Sequence, residues 1–173
     1  MTEQKYSRLN PYIMKKVFAN REHPNIFAGF VKDMAGLNVV NAEFEDPYDQ
    51  SKPCLKHEYI QAIAELDNGE KCLIRIQSIF RYNIPDEGYL PTYLARTVKD
   101  ILENGGQKEN GEFYPIYQIN VVSFNLFEND STPFRVATVD DEVLREICDS
   151  DDLPSVKFIF LEVKKNAWLD PSL

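Results

Sequence analysis

At 173 residues, with 43% hydrophobic and 27% charged side chains, the chain has the composition of one ordinary globular domain and not of a disordered segment. Its 19 Lys and Arg against 28 Asp and Glu leave a formal net charge of −9. That balance weighs against tight, unaided binding to a nucleic-acid duplex, which depends mainly on neutralising phosphates.

No apolar run approaches the length needed to cross a bilayer, and the opening MTEQKYSRLN lacks the apolar stretch of a secretory signal. A cytoplasmic protein without a membrane partner is therefore expected. Cys54, Cys72 and Cys148 have neither disulfide-framework nor metal-site spacing and read as buried, reduced thiols. The charge is uneven. Residues 1–32 carry Lys5, Arg8, Lys15, Lys16, Arg21 and Lys32 against Glu3 and Glu22, a balance of +4, so the remainder carries −9 − 4 = −13. The basic stretch, Lys15 and Lys16 above all, is a candidate contact for a partner. Its plainer reading is a solvated helix face.

Asn10-Pro11 is a helix start, with Asn as cap and Pro at the first helical position, leading into YIMKKVFAN. A second helix begins near Pro24, with Ile26, Phe27, Phe30, Val31 and Met34 at helical spacing and Gly36 as its stop. LNVVNAEFE reads as a strand.

The segment EYIQAIAELDNGEKCLIRIQSIF reads as two strands around Asp67-Asn68-Gly69. A two-residue Asn-Gly turn would place Gln61 opposite Ile76 and mix polar with apolar residues on both faces. A three-residue loop with Gly69 left-handed pairs Gln61 with Arg75 instead. It gathers Ile60, Ala62, Ala64 and Leu66 with Cys72, Ile74 and Ile76 on one face. Tyr59, Gln61, Ile63 and Glu65 then share the other with Leu73, Arg75 and Gln77, and Glu65 faces Lys71. Because a one-residue slip turns every side chain over, the apolar pattern selects the three-residue loop.

Beyond the hairpin, Tyr89, Leu90, Tyr93, Leu94, Val98, Ile101 and Leu102 form a helical stripe that ends at Gly105-Gly106, its regular part starting near Leu90. PIYQINVVSF reads as a central strand, PFRVATV as an edge strand because Pro133 stands at its start, DDEVLREICDS as a short acidic helix and VKFIFLEV as the last strand. The order α-α-β-β-β-α-β-β-α-β predicts a mixed sheet flanked by helices in a single α/β domain.

Five motifs in this order resemble those of the PD-(D/E)XK nuclease-family transposases, a group that includes the recombination-promoting nucleases. They are Lys15-Lys16-Val17-Phe18, the helix from Phe30 to Leu37, the Asn68-Gly69 turn with Ile74-Arg75-Ile76-Gln77, Ser123-Phe124-Asn125-Leu126-Phe127, and Phe160-Leu161-Glu162-Val163-Lys164. Together they span roughly residues 10–165. The resemblance implies a restriction-endonuclease-like fold and Mg²⁺-dependent cleavage of phosphodiesters. It also implies an Asp on the first hairpin strand and a Glu with a Gln or Lys on the second, the carboxylates holding the cation that polarises phosphate and activates water.

Carried over residue by residue, those positions fall at Gln61, Arg75 and Gln77, and only Gln77 agrees. A guanidinium has no acceptor and cannot coordinate. About 4 Å from a divalent ion, at an effective dielectric of about 20, it would cost on the order of 8 kcal/mol. The expectation is a vestigial site at Gln61, Arg75 and Gln77 with no metal or other cofactor, Mg²⁺ entering only if the site is active after all.

Other acids offer little rescue. Glu65 faces Lys71, Glu58 has the wrong parity, and Glu162 reads as a solvated carboxylate. His57 and Tyr59, just before and within the first hairpin strand, lie near the vestigial site and join Arg75, Lys15 and Lys16 as candidate binding residues. His23 reads as a capping or surface residue, and Tyr89 and Tyr93 as core. The acids Asp140, Asp141, Glu142, Glu146, Asp149, Asp151 and Asp152 read as a solvated face, or more sharply as a surface for a basic protein partner. The favoured expectation is a catalytically inactive domain that binds a protein or a nucleic acid. An active endonuclease with a rearranged site and a regulatory or structural protein of a mobile element stand as alternatives.

Overall fold

The computed structural model describes residues 9–49, 57–148 and 152–165. Asn10 accepts a hydrogen bond from the Tyr12 amide (2.9 Å) and caps α1 (Pro11–Phe18), with Pro at the first turn where no amide hydrogen is needed. α2 (Pro24–Ala35) ends at Gly36, whose φ of +70° is the left-handed stop that a residue with a Cβ adopts at a cost. The strands β1 (Val39–Phe44), β2 (Tyr59–Leu66) and β3 (Lys71–Ile79) follow. After them come a 3₁₀ turn at Glu87–Tyr89, α3 (Leu90–Glu103), β4 (Ile116–Val122), β5 (Phe134–Thr138), α4 (Asp141–Cys148) and β6 (Val156–Glu162).

All six strands form one mixed sheet in the order β1-β2-β3-β4-β6-β5. β1, β2 and β3 pair antiparallel, β3, β4 and β6 run parallel, and β5 closes the far edge antiparallel to β6. The expected element order, the central place of β4 and the edge place of β5 all hold.

The hairpin adopts the three-residue loop. Gly69 has φ +83°, its amide donates to the Leu66 carbonyl (2.9 Å), and Gln61 stands opposite Arg75 and Glu65 opposite Lys71. Each face of the sheet buries its own cluster. α1 and α2 bring Met14, Ala19, Phe27 and Val31 onto Ile60, Ala62, Ala64, Ile74, Ile76, Ile119 and Ile159. α3 and α4 bring Tyr93, Val98, Ile101 and Leu144 onto Leu73, Ile79, Ile116, Val122, Phe158 and Phe160. Within the second face lies an unusual polar interior. Between the apolar row Ile63–Leu73–Ile116–Val156 and the row Ile79–Val122, the sheet carries Gln61–Arg75–Gln118 and Tyr59–Gln77–Asn120 as register partners.

Cys72 is buried and Cys148 half-buried, both as free thiols, while Cys54 lies outside the described residues. Among the described residues, no helix is long and apolar enough to cross a membrane.

Candidate functional site

Arg75 is the largest fully buried side chain among the described residues, 1% exposed at the middle of β3. Leaving a guanidinium there without partners would be prohibitive, so its contacts define the site. Its Nε donates to Gln61 Oε1 on β2 (2.9 Å), and its Nη1 is ion-paired with Asp100 Oδ2 on α3. Its planar face lies 3.7 Å from the Tyr59 ring centroid, in cation–π contact. His57 stacks on the same ring at 4.7 Å and an interplanar angle of 8°. Two groups stacked this closely need opposite faces, so Tyr59 is sandwiched between imidazole and guanidinium.

Gln61 explains itself in this arrangement. Its Nε2 donates to Glu45 Oε2 (3.1 Å) and to the Asn104 carbonyl at the C-terminus of α3 (2.6 Å), while its Oε1 receives Arg75. An Asp at this position would turn acceptors toward a carboxylate and a carbonyl. The amide supplies what a carboxylate lacks, two donors on one side and an acceptor on the other.

Asp100 is held in turn. Asn104 Nδ2 donates to its Oδ1 (3.0 Å), leaving Oδ2 for Arg75. Gly105, at φ +108°, then turns the chain off the helix, and a Cβ there would stand 3.3 Å from Gln61 Nε2. The last turn of α3, with its partial negative charge, is thus docked against the buried cation.

Gln77 is half-buried on the same face as Arg75, one step along β3. His57 Nε2 lies 3.4 Å from Glu45 Oε1 without the alignment of a hydrogen bond. Burial raises the Tyr59 hydroxyl above its ordinary pKa, with Arg75 opposing the shift. Burial also raises Tyr93, deeper under α3. Gln61, Arg75, Gln77, Tyr59 and His57 therefore come together as the sequence predicts.

Lys15 and Lys16 diverge. Lys16 is exposed, 6.0 Å from the Tyr48 ring, but Lys15 is buried and ion-paired with Asp46, so the solvated-face reading of this stretch is corrected at Lys15. α1 can bury that lysine because Asp46 follows β1 closely enough to neutralise it.

Glu162 is a second correction. It is 1% exposed, not solvated. Its Oε1 accepts from the Leu126 and Phe127 amides, the latter at 3.1 Å, and its Oε2 pairs with Lys165 at 2.7 Å. It pins the loop after β4 and is occupied there. His23 is exposed and makes no capping bond with its side chain, Tyr93 is core, and Asp140, Asp141, Glu142, Glu146 and Asp152 are exposed. Asp149 and Asp151 lie outside the described residues.

Glu45 and Asp100 are the acids that sequence reasoning missed. Their signals are faint but physical. Tyr93, Thr97, Asp100 and Asn104 repeat at i, i+4, i+7 and i+11, a polar line along the buried side of α3. Glu45 continues the parity of Asn41 and Glu43 along β1, and its amide bonds the Gln61 carbonyl (3.0 Å).

No protein-family model matches the chain, and no curated protein or solved structure matches it at a significant level.

The donor set is a poor one for a hydrolytic divalent cation. At the hairpin, Gln61 turns its one acceptor to Arg75, and Asp100 Oδ2 is committed to the same guanidinium. A divalent ion entering here would have to displace a buried cation and then lie beside it. The arrangement works as an ion-pair and hydrogen-bond network that fixes the last turn of α3 to the hairpin and to Glu45 after β1.

Proposed function

We propose that this chain is a degenerate nuclease-transposase-like domain of restriction-endonuclease-like fold that acts by binding a partner in the cytoplasm, not by cleaving phosphodiesters. The observation that carries the reading is Arg75, buried at the position where the resemblance calls for a carboxylate and integrated there with Gln61, Asp100 and Tyr59. A chance loss of a catalytic acid leaves an unpaired or solvated replacement. Here the replacement and its neighbours form complementary donor–acceptor pairs, which supports a domain maintained for a role other than metal-dependent hydrolysis.

Of the two partner classes, a protein is favoured over nucleic acid. The net charge is −9, the rim of the site carries Glu45 and Asp100, and Lys15 is neutralised by Asp46. Phosphates approaching this face would meet carboxylates before any cation.

Two experiments test the reading together. Isothermal titration with Mg²⁺ and Mn²⁺ is expected to show no stoichiometric site on this face. Plasmid nicking in either ion is expected to stay at the level of an Arg75→Ala control. Tight binding that maps to Gln61 and Gln77, or nicking that the control lacks, overturns it.

A further inference from the structure

Two buried polar atoms beneath α3 have no hydrogen-bond partner among the described residues, Arg75 Nη2 and Gln118 Oε1. They belong to side chains 1% and 0% exposed and stand on register partners of adjacent parallel strands, β3 and β4, facing the same side of the sheet. One is a donor and the other an acceptor, yet they make no direct bond.

A flipped amide does not resolve the mismatch. Asn120 Nδ2 donates to the Ile159 carbonyl (3.4 Å), which turns Asn120 Oδ1 toward Tyr93 Oη (2.6 Å) and Gln118 Nε2 (3.0 Å). Exchanging the Gln118 oxygen and nitrogen would set two acceptors against each other, so Oε1 is left facing away from Asn120 by the network itself.

The group that satisfies both atoms is narrowly specified. It must accept from Arg75 and donate to Gln118. An anion fails the second requirement, and Asp100 already neutralises Arg75. A cation fails the first. Neither atom is reachable from solvent, which excludes anything large. We propose that a single water molecule is bound between Arg75 Nη2 and Gln118 Oε1, as a fixed part of the fold.

Tyr93 and Thr97, both buried under α3, add two hydroxyls to the same polar interior. The water joins two networks that are otherwise separate, Glu45–Gln61–Arg75–Asp100 and Gln118–Asn120–Tyr93, into one polar layer running from β1 to β6.

A crystal structure of the full chain, at a resolution that orders water, tests this directly. The expected result is one peak within hydrogen-bond distance of both atoms. Arg75 Nη2 bonded directly to Gln118 Oε1, or a chloride or other ion at the position, overturns it. A solution measurement gives the second arm. In Gln118→Met the acceptor is removed with a similar side-chain length, so the bridging water loses its second partner and the number of long-lived internal waters from oxygen-17 relaxation dispersion falls by one. An unchanged number in folded Gln118→Met contradicts the proposal.

Discussion

Replacing Asp100 by Ala removes the carboxylate that neutralises Arg75 while leaving the guanidinium buried. Breaking a buried ion pair by deleting one partner typically costs about 3–5 kcal/mol, because a charge is left without compensation. The Asp100 side chain is 47% exposed, so water can enter where it stood, and the discounted cost is about 2 kcal/mol. Arg75→Met behaves differently. It deletes the buried charge, keeps an apolar side chain in the interior, and leaves behind an Asp100 that water can solvate, so its cost is about 1 kcal/mol or less. The two changes couple through the bond they share, so Arg75→Met in the Asp100→Ala background should restore stability. Urea unfolding of the four proteins, read as a double-mutant cycle, measures this. The exposed pair Lys99–Glu103, 3.9 Å apart, supplies the reference, since Lys99→Ala should cost about 0.5 kcal/mol or less. If Asp100→Ala costs no more than Lys99→Ala, Arg75 does not depend on Asp100 and the reasoning fails.

Gly105→Ala should cost about 1–2 kcal/mol in the same assay, because φ of +108° is strained for a side chain and the added Cβ crowds Gln61 Nε2. Burial pushes the Cys72 thiol up to about 11 from 9.0. The native state keeps a proton that the unfolded chain releases, so stability is unaffected below about pH 9 and falls as pH rises from 9 to 11. Urea midpoints across that range should decline in the wild type and show a shallower decline in Cys72→Ala. The double variant Gln61→Asp/Arg75→Glu places two acids beside Glu45 and Asp100. Its melting temperature should drop in chelator and recover with Mn²⁺, whereas the wild-type value should not respond to the ion.

The framework was legible because local rules and burial agree there. Asn10 and Pro11 start a helix by satisfying or omitting early amides, Gly36 stops one, and the apolar alternation of β2 and β3 admits a single register. That register alone brought Gln61 to Arg75. What stood outside sequence reasoning depends on contacts between elements far apart in the chain. Asp100 reaches Arg75 only when α3 crosses the hairpin, and Lys15 turns inward only because Asp46 arrives beside it. Glu162 looks solvated in sequence, flanked by Lys164 and Lys165, yet two loop amides draw it into the interior. Charged residues follow their partners as much as their hydropathy, and partners are a property of the fold.

The central claim is that Arg75, held by Gln61 and Asp100, keeps a divalent cation away from this part of the hairpin. The most direct test is a crystal of the full chain soaked in Mn²⁺ and measured for anomalous scattering. The account predicts Arg75 still bonded to Gln61 and Asp100, with no manganese within coordinating distance of Gln61, Gln77 or Asp100. A manganese ion held by those side chains, with Arg75 swung out to solvent, would contradict it.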